Sequence, residues 1–466
     1  MIQRGMALLF ATTLFTSGSA AQSAPVSPIP PDAVIRKILA QRIDEFHQGV
    51  GIVVGVIEPQ GRRIVAYDAV NQGDARPLNG NTVFEIGSVT KVFTSLLLAD
   101  MVHRGEVKLS DPVAKYLPEG VKLPERGGRK ITLVDLSTHT SGLPRMPSNF
   151  QPKDPSNPYA DYTVEQLYQF LATYQLPRDI GSEFEYSNLG GGLLGHALAR
   201  RAGMNYEALV HSRITGPLEM NSTGITLTPE MKARLAAGHN DKLEVTANWD
   251  LPTFAGAGAL RSSANDMLTF LAANLGYVKT PLAPAMASML TSRRPTGAPG
   301  KGEIGLGWLI VKPSSYEIVW HNGGTGGYRS FVGFVPSTRV GVVVLSNTFT
   351  PTGVDDIGMH LLDSHAPLMP PPKQHKEIAV DPKLFDAYVG QYQLAPSFNL
   401  TVTREEDKLF VQATGQPKFQ IFPESALEFF LKVVDAQITF ETDSTGRAVS
   451  LVLHQNGRNV PGKRIQ

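Results

Sequence analysis

Residues 85–100 read Glu-Ile-Gly-Ser-Val-Thr-Lys-Val-Phe-Thr-Ser-Leu-Leu-Leu-Ala-Asp. Gly87 reads as a turn residue, and after it Val89, Val92, Phe93, Leu96 and Leu97 recur at helical spacing. The pattern predicts a helix with Ser88 in its first turn. Free backbone N–H groups and the positive end of the helix dipole favour developing negative charge there. Lys91 falls on the same face three residues on. The dipole end and the apolar face that screens the amine from water both favour its neutral form. A neutral amine can take the proton of the serine hydroxyl, so Ser-x-x-Lys pairs a nucleophile with a base. A serine at a helix start is ordinarily an N-cap and a lysine one turn later ordinarily solvated. Ser88 is nevertheless the one serine in the chain with a lysine three positions later, and two further elements give the pair its meaning.

The first is Tyr186-Ser187-Asn188, the one Tyr-x-Asn among 13 tyrosines, followed by Leu189 and three glycines. A phenol beside a cationic lysine has its anion favoured, which suits it to shuttle a proton. Asn188 offers an amide donor to a substrate carbonyl and an acceptor to Lys91. The second element is Trp320-His321-Asn322-Gly323-Gly324-Thr325-Gly326-Gly327-Tyr328 at the end of a predicted strand. Its glycines let the backbone approach a ligand, and an extended edge can add a peptide-like substrate as a strand. The amides of Gly324 and Ser88 together would form a two-donor oxyanion hole, in which one donor is typically worth ~3 kcal/mol of barrier.

The totals narrow the field. The chain has 466 residues, enough for two or three domains, with 42% hydrophobic and 18% charged residues. Forty-three basic against 42 acidic residues leave a formal charge of +1. That charge gives no field to steer nucleic acid or an anionic membrane, so no nucleic-acid partner is expected. No cysteine is present, which excludes a thiolate nucleophile, thiolate metal sites and disulfides. No His/Asp/Glu cluster has metal spacing, so neither metal nor cofactor is expected. Arg4, the apolar run from Met6 to Phe15 and the small residues to Ala21 follow the order of a signal peptide, residues 1–21. Cleavage after Ala20 or Ala21 would leave no transmembrane segment and a periplasmic or secreted protein.

Further along, Asp32 is expected to cap a helix to Gln48, and Gly51–Glu58 with Arg62–Tyr67 reads as a hairpin. Helices are expected at Ile131–His139 (capped by Thr132 with Asp135), Val164–Tyr174, Leu189–Met204 and from Ser263 to Asn274. Between them, residues 147–162 form a Pro/Asn/Asp/Ser-rich loop of a length that is often functional. From Gly305 to Asn347, Val-, Ile- and Phe-rich runs predict three or four antiparallel strands, and Val354–Leu362 a closing helix. Helices between a strand pair and a strand set imply one sheet flanked by helices. Residues 366–380 read as a Pro-rich linker. Residues 381–466 alternate about charged turns, predicting a small all-β sandwich or barrel.

The three elements, in this order, resemble the penicillin-recognising serine hydrolases, the class C β-lactamase and DD-peptidase group. Ser88 with Lys91, Tyr186 with Asn188, and His321 with Gly323 match that group's Ser-x-x-Lys, Tyr-x-Asn and Lys-Thr-Gly or His-x-Gly. Leu136–Pro144 and Gly256-Ala257-Gly258 also look like its landmarks. The resemblance covers about residues 32–365 and implies an α+β fold, an antiparallel sheet flanked by helices plus an all-helical lobe, over residues 22–365. It implies acyl transfer through Ser88, Lys91 and Tyr186. Asn188, His321, Asn322, Gly323 and Gly324 would bind a β-lactam, a D-amino-acid peptide or an ester. His321 stands where many β-lactamases keep lysine; mostly neutral at pH 7, it would hold a substrate carboxylate less firmly. That leaves a carboxylesterase, or a sensor that stays acylated, beside the β-lactamase and peptidase readings. The C-terminal segment is similar, more weakly, to lipocalin-like modules.

Overall fold

A computed structural model describes residues 29–297, 302–370, 375–395, 398–433, 436–455 and 458–465. The expected signal peptide, residues 1–21, lies outside the described residues, as do residues 371–374 of the Pro-rich segment. No helix among the described residues is long and apolar enough to cross a membrane.

The first domain is built on an eight-stranded antiparallel sheet. Its strands are β1 (Gly51–Glu58), β2 (Gly61–Asp68), β3 (Arg294–Pro295), β4 (Glu303–Ile304), β5 (Leu309–Val311), β6 (Ile318–Gly324), β7 (Arg329–Val335) and β8 (Val340–Ser346). They lie in the order β2-β1-β8-β7-β6-β5-β4-β3, so the N-terminal hairpin joins the sheet through β1 and β8, with Val54 opposite Val344. Strands buried on both faces read as unbroken apolar runs, as Gly51–Glu58 and Val340–Ser346 do. Their side chains alternate between two cores. Ile52, Val54, Val342 and Val344 pack with Ile35 and Leu39 of helix α1 (Asp32–Ala40) and with Ile357 and Leu361 of a C-terminal helix. Val53, Ile57, Val343 and Leu345 face the helical lobe.

The centre of that lobe is α2 (Thr90–His103), preceded by a 3-10 turn at Gly87–Val89. Every residue from Thr90 to Met101 is buried, so this helix is enclosed on all sides rather than lying on a surface. Around it stand α3 (Leu133–Ser137), α4 (Val164–Thr173), α5 (Asn188–Ala202) and α6 (Ala264–Asn274), and α7 (Asp355–Leu362) closes the domain. In α3, Asp135 Oδ2 accepts from Thr132 N–H at 3.0 Å, and in α6 Ser263 accepts from Asp266 N–H, both as the sequence predicts. One expectation differs. Asp32 lies inside the first turn of α1, after Pro31 at the cap position, and α1 gives way at Gln41 to a π-helical turn.

The C-terminal segment is a closed barrel of eight antiparallel strands between Gly390 and Arg464, which decides between sandwich and barrel. A 3-10 helix, Pro382–Ala387, precedes the first strand, and its Phe385, with Tyr388 just after it, packs on Phe429 and Phe440.

Candidate active site

Ser88 stands on the sharp turn between the strand Val83–Glu85 and α2. Gly87 has φ +48°, and a Cβ there would come within 2.7 Å of Gly324 N. Only glycine lets the turn at Ser88 press against the end of β6 in this way. Gly323 is as closely held, because a Cβ there would overlap Ile86 O. Ser88 and Gly324 thereby line the same cleft.

Lys91 is buried and makes three short contacts: 2.9 Å to Ser88 Oγ, 2.9 Å to Asn188 Oδ1 and 2.6 Å to Ala257 O. Burial, and then the nearby Arg145 guanidinium, hold its amine well below the usual lysine range. Two of its three partners, the Asn188 and Ala257 oxygens, only accept hydrogen bonds. A neutral amine gives its two protons to them and turns its lone pair toward the serine hydroxyl. The glycines of α5 make room for this side chain, since a Cβ on Gly191 would lie 3.1 Å from Lys91 Cε.

Tyr186 completes the cluster. Its hydroxyl shares a hydrogen bond with Ser88, and Lys91 Nζ lies 4.8 Å from the ring centroid. The phenolate expected from the sequence is not favoured. Burial pushes the phenol up to about 12, with the Ser88 hydrogen bond and Arg145 only partly offsetting it. The reason is that the phenol is itself taken out of water, which disfavours its anion. His321, 6.3 Å from Tyr186 between ring centroids, is buried, and burial followed by Lys91 pushes it down to about 3. It is a neutral imidazole at any physiological pH. Asn322 stands apart from the others: its Nδ2 donates to Asp355 Oδ2 at 2.5 Å, at the start of α7.

Four contributors were not legible as such. Ala257 lies in a noted landmark, but only the fold shows its carbonyl accepting from Lys91. His139, which the sequence placed only at the end of a helix, is buried at φ +55°. Its Nδ1 accepts from Ser187 N–H at 3.1 Å, and its ring lies 4.6 Å from that of Tyr186. Tyr159 and Trp249 line the cleft with Ser88 and Asn188. The signal for Tyr159 was the long loop that carries it; Trp249 left none. Among the described residues, no group of three or more His, Cys, Asp or Glu is placed to hold a metal ion.

A sequence profile described as Beta-lactamase matches residues 39–365, and another, described as a domain of unknown function (DUF3471), matches residues 374–464. The chain is 32% identical over 362 residues to the D-alanyl-D-alanine-carboxypeptidase/endopeptidase AmpH of Escherichia coli strain K12, covering 72% of this chain and 90% of that protein. It is 27% identical over 447 residues to penicillin-binding protein 4* of Bacillus subtilis strain 168, covering 90% and 96%. Among solved structures, a β-lactamase/D-alanine carboxypeptidase from Yersinia pestis superposes with a TM-score of 0.62 at 26% identity, covering 72% of this chain and 99% of that one. A class C β-lactamase from Rhodobacter sphaeroides gives 0.60 at 26%, covering 72% and 98%.

Proposed function

This chain belongs to the β-lactamase family and is a serine hydrolase, and from that premise we propose that it is an exported enzyme forming an acyl-enzyme on Ser88. Its substrates are β-lactams or D-amino-acid peptides of the cell wall, the classes named for its relatives. Residues 1–21 direct it to the periplasm or outside the cell. The observation that carries this reading is the Lys91 amine, held by two carbonyl acceptors with its third direction on Ser88 Oγ.

The chemistry follows from the placement of the protons. Ser88 Oγ bonds to the carbonyl carbon as its proton passes to Lys91 Nζ. The carbonyl oxygen takes the negative charge against the amides of Ser88 and Gly324. The bond to the leaving group breaks as Tyr186 gives its hydroxyl proton to the departing atom, and Lys91 restores that proton. Water then attacks the ester, losing its proton to the same pair, which passes it to Ser88 Oγ as the bond to the acyl carbon breaks and the acid leaves.

The neutral His321 favours a second reading, a carboxylesterase on the same scaffold, because an uncharged ring gives a substrate carboxylate no ion pair. Intact-protein mass spectrometry after a penicillin, a D-Ala-D-Ala peptide and an aryl ester separates the readings. Rapid turnover of penicillin marks a β-lactamase, a persistent adduct marks a peptidase or a sensor, and turnover of the ester alone marks an esterase. No adduct or turnover dependent on Ser88 with any of the three sinks the proposal.

A further inference from the structure

The two walls of the cleft beside Ser88 come from distant parts of the chain. One carries Trp249 and the other Tyr159, with ring centroids 5.3 Å apart. The Trp249 wall is fixed from behind. Glu85 Oε1 accepts from Asn248 Nδ2 at 3.0 Å, from Trp249 N–H at 3.0 Å and from Arg261 at 3.1 Å, and Arg261 donates to Trp249 O at 3.0 Å. Glu85 and Arg261 are both buried.

The Tyr159 wall is the loop 147–162. Near its base, Tyr162 donates to Asn149 Oδ1 at 2.9 Å and Thr253 donates to Tyr162 O at 2.5 Å. Farther out it is tied to the other wall by a reciprocal pair. Asn157 Nδ2 donates to Asp250 Oδ2 at 2.9 Å, and Asp250 N–H donates to Asn157 Oδ1 at 2.8 Å. Neither residue lines the cleft. Asp250 also lies 3.8 Å from Arg261, which keeps Glu85 as its nearer carboxylate.

Tyr186 and His321 also lie outside the residues lining the cleft. A leaving group departs where its proton arrives, so with Ser88 as nucleophile the acyl portion occupies the cleft. No charged side chain lines it.

We propose that Asn157 and Asp250 are specificity-determining residues: paired, they hold the Tyr159 wall against the Trp249 wall and set the width of the cleft that receives the acyl group. This rests on the Ser88 reading above. Breaking the pair leaves the Trp249 wall in place on Glu85 and frees the outer part of the Tyr159 loop, which widens the cleft without touching Ser88, Lys91 or Tyr186.

The test compares kcat/KM for p-nitrophenyl acetate and p-nitrophenyl octanoate in the full chain, Asn157→Ala, Asp250→Ala and Asp250→Asn. The unaltered protein prefers acetate. Asn157→Ala and Asp250→Ala each raise the octanoate value by about tenfold and leave acetate within about twofold, in the range a few misfitting methylenes command. Asp250→Asn keeps a side-chain acceptor and the backbone donor, and so keeps the original selectivity. An acetate-to-octanoate ratio unmoved in both alanine variants, or an unaltered protein that prefers octanoate, overturns the proposal. If Ser88→Ala hydrolyses acetate at the full rate, the catalytic reading fails instead. Hydrogen–deuterium exchange across residues 147–162 then decides the pair by itself: faster in both alanine variants if the pair holds the loop, unchanged if it does not.

Discussion

The two domains bury different kinds of side chain. Around Ser88 the interior holds Lys91 at 3% exposure, His139 at 3% and His321 at 1%. The barrel's interior is Tyr392, Phe429, Phe440, Leu451 and their apolar neighbours, and among the described residues beyond Asp363 no polar or charged side chain is buried. A desolvated ionisable group costs stability unless it is neutralised or paired. The first domain carries that cost beside Ser88 and also elsewhere, at Arg42, Glu85, Asp135 and Arg261 among others, while among the described residues the barrel buries no charged side chain. The contrast locates chemistry without reference to any motif, because strongly perturbed groups gather where proton transfer is arranged.

The sharpest break of this contrast is Ser88→Ala. Hydrolysis should fall by on the order of 10⁴-fold or more, with the melting temperature nearly unchanged. Steady-state kinetics beside calorimetry check it. The opposite result is expected in the barrel. Phe440→Ala removes a ring stacked on Tyr388 at 4.6 Å and should cost about 3–5 kcal/mol of barrel stability. Chemical denaturation should register the loss while kcat per folded molecule stays constant.

Asp355 tests whether the buried-charge cost extends to the back of the oxyanion strand. Burial raises its carboxyl from 3.8 to about 6, against the opposing Asn322 hydrogen bond and Arg329. Folding therefore takes up a proton between those values, so stability declines as pH rises through about 4 to 6. The full cost, on the order of 2–3 kcal/mol, is present above that window. Asp355→Asn should stabilise the protein by about that amount at pH 7.5 and by almost nothing near pH 4. Urea unfolding at the two pH values measures the difference, and an equal effect at both contradicts the assignment. The smallest effect is expected at His139. His139→Phe keeps a ring beside Tyr186 but leaves the Ser187 N–H without its acceptor, costing about 1–2 kcal/mol. A roughly tenfold loss of kcat at unchanged KM would mark loosened placement of Tyr186; a change in KM alone would not.

Local signals carried most of the fold. Alternation and helical spacing placed the hairpin of β1 and β2, the run β6 to β8, and helices α2, α4, α5 and α6, because each pattern is written in consecutive residues. The pairing of Val83–Glu85 with Arg261–Ser263 is defined by partners far along the chain, and the strands β3 and β4 are only two residues each. Nothing local announces them. The same divide runs through the site. Ser88, Lys91, Tyr186 and Asn188 were readable because two motifs of three and four residues contain them. The Ala257 carbonyl, the Glu85 anchor and Trp249 arrive through tertiary contacts alone. The error over the Tyr186 phenolate has a related origin: a sequence shows that a lysine is a neighbour but not that the phenol has lost its water.

Everything in the catalytic account depends on the charge carried by one amine. Carbon-13 NMR of protein labelled at lysine Cε, with the Lys91 resonance identified by its loss in Lys91→Arg, reads that charge directly. A neutral Lys91 at pH 7, titrating well below the surface lysines, is the predicted result. A Lys91 that titrates with them near ~10.4 would contradict it.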